Sequence, residues 1–188
     1  MKARMIIVAA PSGAGKSSFV ERISREMPVL ADTVTYTTRP MRAGESEGHP
    51  YYFVSQTRFR DLIKEGFFVE WAEVHTNLYG TPLHQIEDAF KAGRVVIMDV
   101  DVQGAATFKA KYPKDAATVF ILPPSIDELK RRVMKRDGGR TDNINVRMAN
   151  AIKEIAKAPL FDYQVVNDDF EQSFGQFKKL VETLIRGG

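Results

Sequence analysis

The sequence predicts an α/β fold in three layers, with a central parallel sheet between two layers of helices and one small mixed β insertion. Three observations predict it. Continuous apolar runs recur at MIIVAA (5–10), RVVIMDV (94–100) and TVFIL (118–122), as suits strands buried on both faces. Helical patterns alternate with these runs, which is how parallel sheets are built. Residues 34–80 break the alternation with short β-branched and aromatic stretches between glycine and proline turns.

The elements follow in order. A strand over 5–10 leads through a loop at 11–15 into a helix over 16–26, with Phe19, Val20 and Ile23 on one side. A short threonine-rich strand is predicted over 32–38. Pro40, Gly44, Gly48 and Pro50 make 39–50 a loop. A strand over 51–55 precedes a helix over 56–65 that Gly66 closes. A strand over 67–74 ends in a turn near Thr76 and Asn77. The next helix is predicted to start at Thr81–Pro82, run to about Lys91 and end at Gly93. After the strand at 94–100 come a helix over 104–111 and a strand over 117–122. Ser125 with Glu128 three residues on has the form of a capping box. It opens helices over 126–136 and 143–157. A strand over 164–167 and a helix over 170–186 complete the chain.

The bulk numbers narrow the function. A length of 188 residues suits one domain with small insertions. With 44% hydrophobic and 27% charged residues, the chain has an ordinary globular composition. It has no cysteine, which excludes disulfides, thiolate metal sites and a cysteine nucleophile. Its three histidines argue against a histidine-built zinc site. No apolar run approaches the roughly 20 residues that span a bilayer, and the N-terminal apolar run passes straight into a glycine-rich loop rather than a cleavage site. The expectation is a cytoplasmic protein without a membrane partner. The net charge is +3, yet residues 128–147 carry seven basic and three acidic residues, so the remainder sums to about −1. Such a local basic surface fits a few phosphates on a small molecule rather than a long nucleic acid.

Residues 10–18 read APSGAGKSS. Between a buried strand and a helix, this is the context of a phosphate-binding loop, whose pattern is G-x-x-x-x-G-K-[ST]. Ser12, Gly13, Ala14, Gly15, Lys16, Ser17 and Ser18 would surround an anion with backbone N–H groups at a helix N-terminus. Lys16 would reach the β- and γ-phosphates and Ser17 would ligate Mg2+. Only Ala10 departs from the pattern, which matters if that position needs a positive φ. A second phosphate site is suggested by Arg39 and Arg42, three apart around Pro40, with Tyr51 and Tyr79 as further donors.

With these motifs in view, the chain resembles the guanylate kinase family over nearly its whole length. The likeness rests on PSGAGKSS (11–18), TTRPMRAGE (37–45), GHPYYFVS (48–55), GFFVEWAEVH (66–75), NLYGTP (77–82), VIMDVDVQG (96–104), ILPPS (121–125) and VVNDD (165–169). The resemblance implies a P-loop core at about 1–33, 83–125 and 157–188. It implies a GMP-binding subdomain at about 34–82 and a helical lid at about 126–156. ATP would bind at 12–18 and GMP in the insertion, with the GMP phosphate on Arg39, Arg42, Tyr51 and Tyr79. Glu70 would accept from guanine N1–H and the 2-amino group, and Thr35 and Thr81 would offer hydroxyls to the opposite edge. Thr81 also reads as an N-cap before Pro82. Asp99 and Asp101 end a buried strand beside the phosphate loop. They would share GMP contact, orientation of Lys16 and a water-mediated hold on Mg2+, in a division the sequence leaves open. Arg132, Arg136 and Arg147 would be the lid arginines at the transferring phosphoryl group, and Lys130 and Arg131 would face solvent. Asn167 would touch adenine or cap the last helix with Asp168. Thr76 stands where the family usually has glycine, a change that would stiffen that turn.

Two activities are compatible with such a domain. One is phosphoryl transfer from ATP to GMP with Mg2+, giving ADP and GDP. The other is a non-catalytic phosphopeptide-binding module on the same fold. Such modules typically lose the loop lysine and the lid arginines, which are all retained here, so the enzyme is favoured.

Overall fold

The computed structural model describes residues 2–42, 44–74, 76–136 and 143–187, the side chain of Arg136 excepted. In chain order the elements are β1 (Met5–Ala9), α1 (Lys16–Glu26), β2 (Leu30–Asp32), β3 (Thr35–Thr37), β4 (Tyr51–Phe53), α2 (Gln56–Lys64), β5 (Phe68–Val74), β6 (Asn77–Pro82), α3 (Leu83–Lys91), β7 (Val95–Asp99), α4 (Val102–Lys111), β8 (Ala116–Leu122), α5 (Ile126–Arg136), α6 (Ile144–Ile155), β9 (Tyr163–Val166) and α7 (Phe170–Arg186). A single 3-10 turn at Ala158–Leu160 precedes β9.

Five strands form a parallel sheet in the order β2-β7-β1-β8-β9. Its apolar runs feed two cores by simple alternation. Ile6, Val8 and Ala10 join one core with α1, α5, α6 and α7, while Met5, Ile7 and Ala9 join the other with α3 and α4. Both faces of β1 are therefore dry, which explains why its sequence shows no polar alternation. On the first face, Phe19 of α1 meets Phe170 and Phe177 of α7 edge-on at 5.2 and 5.3 Å.

The insertion is a separate four-stranded mixed sheet, β4-β3-β6-β5. Phe59 of α2 stacks on Phe68 of β5 at 4.6 Å. Gly80 of β6 lies under that pair, where a Cβ would meet the Phe68 ring at 2.8 Å.

Three sequence expectations differ from the structure. The threonine-rich stretch predicted as one strand over 32–38 is two strands in different sheets. β2 ends at Asp32 and β3 starts at Thr35, so the chain changes sheets between them. Residues 77–82, expected as a turn leading into a helix at Thr81–Pro82, form β6. Pairing with β5 and β3 on its two sides satisfies this glycine-containing segment as strand, and α3 begins only at Leu83. The capping box is half made: Ser125 Oγ accepts from Glu128 N at 3.1 Å, but the Glu128 carboxylate turns to Arg131 and Arg132 instead. Gly138–Gly139, which the sequence places as a flexible tip between the helices expected at 126–136 and 143–157, lies outside the described residues.

The turn at Thr76 has a φ of 69°. A β-branched residue there is strained by roughly 1–2 kcal/mol, whereas asparagine tolerates the left-handed region. We predict that Thr76→Asn raises unfolding stability by about 0.5–1 kcal/mol. The check is the urea midpoint, and an unchanged or lowered midpoint would show the turn to be relaxed as it stands.

Candidate active site

The site starts from the centre of the parallel sheet. β1 and β7 are neighbours, with Val8 in register with Asp99. The loop leaving β1 therefore lies beside the carboxylate that ends β7. Gly13 and Gly15 both have φ near +95°, which turns the loop's N–H groups inward ahead of α1. Ala10 has no such demand: it is 8% exposed, belongs to the core, and is absent from the positive-φ residues. Its methyl is accommodated without strain.

Lys16 Nζ lies 3.1 Å from Asp99 Oδ2 and donates to Val100 O at 3.2 Å. Ser17 Oγ donates to the same Asp99 oxygen at 2.7 Å. Burial works against the charge on Asp99, but Lys16 and Ser17 outweigh it and hold the carboxyl below its ordinary range. The two carboxylates have different partners. Asp99 faces the phosphate loop, whereas Asp101 caps α4, accepting from Gly104 N at 2.6 Å.

The insertion supplies the opposite wall. Between Phe68 and Glu70 the β5–β6 register shifts by one residue. This bulge brings Glu70 opposite Thr81, and Thr81 Oγ1 donates to Glu70 Oε1 at 2.8 Å. Val69 is the extra residue, and its carbonyl accepts from Lys111 Nζ across the seam to α4. Burial pushes the Glu70 carboxyl up, against the Thr81 hydrogen bond. Thr81 is not an N-cap: α3 has no side-chain cap at its start. The one hydroxyl proton of Thr81 is committed to Glu70, so toward a ligand it presents lone pairs.

One cleft of about 580 Å3 joins these walls. It is lined by the phosphate loop with Lys16, Ser17 and Ser18, by Thr35, Tyr51, Glu70, Tyr79 and Thr81 from the insertion, and by Asp99, Asp101 and Glu154. Tyr51 and Tyr79 meet edge-on at 5.8 Å. Burial, with Asp99 and Tyr79 nearby, pushes the Tyr51 phenol up to about 12, so it stays a donor.

The two predicted phosphate arginines are held differently. Arg39 is buried and makes a bidentate pair with Glu45, at 2.8 and 3.0 Å, while also donating to Pro40 O. Glu45 further accepts from Arg42 N at 2.8 Å, and the Arg42 side chain is exposed. The loop is thus organised around Glu45, a residue sequence reasoning left without a role although it sits three positions after Arg42.

The basic helices are also sorted. Leu129 and Val133 pack on Gly13. Arg132 donates to the carbonyls of Asn167 and Asp168, at 2.9 and 3.1 Å, and to Glu128 at 2.7 Å. It braces the β9–α7 loop and does not line the cleft. Arg147 reaches the phosphate loop, donating to Ser12 Oγ at 3.3 Å. Lys130 and Arg131 are exposed, as expected, and the Arg136 side chain lies outside the described residues. Asn167 neither caps α7, which Asp169 does, nor lines the cleft. Its Nδ2 donates to Ala14 O at 2.8 Å, against Gly15, while its Oδ1 is buried without a partner. Besides Glu45, two acids have no role in the sequence reading. Glu154 enters the cleft from α6. Asp32, at the end of β2, is pushed up to about 7 by burial and by Asp99.

Comparison with known proteins gives one answer. The family model for guanylate kinase matches residues 2–184. A guanylate kinase of Bdellovibrio bacteriovorus is 63% identical over 98% of this chain and 100% of its own. One of Rubrobacter xylanophilus is 40% identical over 100% and 97%. Among solved structures, the guanylate kinase of Anaplasma phagocytophilum superposes with a TM-score of 0.80 at 28% identity, covering 97% of this chain and 85% of its own. A shikimate kinase of Bacteroides thetaiotaomicron, at 16% identity and a TM-score of 0.51, shares the fold alone. With a phosphate loop, a facing Glu70–Thr81 wall and relatives matched end to end, the chain belongs to the guanylate kinase family.

Proposed function

We propose that this cleft transfers the γ-phosphoryl group of ATP to GMP, with the ATP phosphates on residues 12–18 and GMP against the insertion. The carrying observation is that a single cleft is lined at once by Lys16 with Ser17 and by Glu70 with Thr81. A phosphate oxygen of GMP attacks the γ-phosphorus, the bond from that phosphorus to the β–γ bridging oxygen breaks, and ADP leaves. The attacking oxygen is already ionised, so the protein supplies position and positive charge rather than a strong base.

The residues would divide the work as follows. Lys16 exchanges part of its contact with Asp99 for the β- and γ-phosphates. Arg147, already at Ser12, neutralises the transferring group, and by family likeness Arg136 joins it. Arg132 holds the wall at Asn167, which keeps the phosphate loop in place through Ala14. Arg39, Arg42, Tyr51 and Tyr79 take the GMP phosphate. Glu70 accepts from guanine N1–H and the 2-amino group, with Asp101 beside it, and Thr35 lies on the other edge. AMP would offer the half-buried Glu70 neither guanine donor, leaving it only the Thr81 hydroxyl, a rejection worth orders of magnitude.

Ser17 and Asp99 are the oxygens that fit Mg2+, a hard cation that takes one or two protein ligands and completes its shell with water and phosphate. When bound, the ion neutralises β- and γ-phosphate charge. Among the described residues no helix is long and apolar enough to cross a membrane, and the partners proposed are the two nucleotides. The binding-module reading is disfavoured by the intact Lys16–Asp99–Ser17 cluster, which such a module does not need.

Two variants test the assignment. Lys16→Ala should lower kcat by about 10²–10³-fold with GMP affinity retained; near-normal turnover would remove Lys16 from the chemistry. Glu70→Gln should reduce the preference for GMP over AMP in kcat/KM by about 10–100-fold. An unchanged ratio would take Glu70 out of base reading.

A further inference from the structure

The chain crosses between the two sheets twice near the guanine wall, and one side chain ties the crossings together. The outgoing crossing runs from the end of β2 at Asp32 to the start of β3 at Thr35. The returning one runs from Pro82, the end of β6, to Leu83, the start of α3. Val34 lies in the outgoing gap, outside both strands. A half-buried peptide in that position needs partners. Gln85, in the first turn of α3, provides both. Its Oε1 accepts from Val34 N at 2.8 Å and its Nε2 donates to Val34 O at 3.3 Å. A primary amide carries one acceptor and donors in a single plane, so it copies the strand pairing that Val34 lacks.

The next residue makes this more than local repair. Thr35 lines the cleft and is in register with Tyr51, which lines it too. Thr81, four residues before Gln85, lies on the neighbouring strand β6 and lines the same wall. We propose that Gln85 is a positioning residue for GMP: it locks the Val34 peptide and thereby sets Thr35 and its register partner Tyr51 relative to Thr81. Gln85 itself does not line the cleft. The proposal rests on the assignment of the insertion side of the cleft to GMP.

It implies a selective effect. Losing two hydrogen bonds, each worth about a few-fold to tenfold in an equilibrium constant, loosens the guanine side alone. Gln85→Ala should raise both the KM and the calorimetric Kd for GMP by about 5–20-fold, with the KM for ATP changed by less than about twofold. Gln85→Glu keeps the size and one acceptor but sets a carboxylate oxygen against Val34 O in place of the donor, so it should give a rise in the same direction. It also serves as the second variant if Gln85→Ala folds poorly. Thr35→Val, measured alongside, tests the underlying assignment. If Thr35→Val weakens GMP while both Gln85 variants leave its affinity intact and only lower thermal stability, the clamp is structural and the proposal is overturned. If Thr35→Val has no effect either, the assignment of that wall to GMP fails, and the proposal with it. Equal weakening of ATP and GMP would likewise overturn it, since positioning of one wall cannot act on both.

Discussion

The site depends on the ion pair between Lys16 and Asp99, with Ser17 on the same carboxylate oxygen. It exists because β1 and β7 are parallel neighbours in register, so the loop leaving one meets the acid ending the other. A lysine at a helix N-terminus is poorly placed with respect to the helix dipole. Asp99 offsets that, keeps Lys16 pointed along the loop, and is itself kept ionised. The hydrophobic alternation of β1, which buries both faces, fixes the strand that carries the loop. Packing therefore sets the position at which charge operates.

The loop is held from its outer side as well. Val133 and Leu129 press on Gly13, and Asn167 bonds Ala14 against Gly15. At both glycines a Cβ would collide at 2.6 Å with the neighbouring side chain. The two glycines thus provide close approach as well as the backbone turn. Arg132 extends this support to the β9–α7 loop, and Arg147 on the second basic helix reaches Ser12 of the phosphate loop. The insertion repeats the pattern. A β-bulge aims Glu70, Thr81 orients it, and Gln85 joins the two chain crossings behind it.

Much of this was legible in the sequence. Buried strands show as unbroken apolar runs because neither face meets water, and the boundaries of α1 and α7 follow from their periodicity and flanking loops. Tyr51 and Tyr79 stand out beside the arginine pair, and Glu70, Thr35 and Thr81 follow from the family resemblance; the structure brings all five to one cleft. What was not legible depended on pairing across distance. The sequence around Asp32–Thr35 cannot show that consecutive residues join different sheets. Residues 77–82 hold a glycine and end in proline, and only neighbours on both sides make them a strand. Arg132 and Arg136 share a helical spacing, yet Arg132 is drawn to carbonyls supplied 35 residues later. Gln85 had no local signal at all, since its partner is a peptide 51 residues earlier.

The proposed phosphoryl transfer needs the phosphate-loop end and the Glu70–Thr81 end of one cleft to serve two different nucleotides. The most direct test is steady-state ADP release by the unmodified protein with ATP and Mg2+, using GMP, AMP, CMP and UMP in turn as acceptors. Turnover confined to GMP is the predicted result. Comparable turnover with AMP, or none with any acceptor in folded protein that binds GMP, would contradict it.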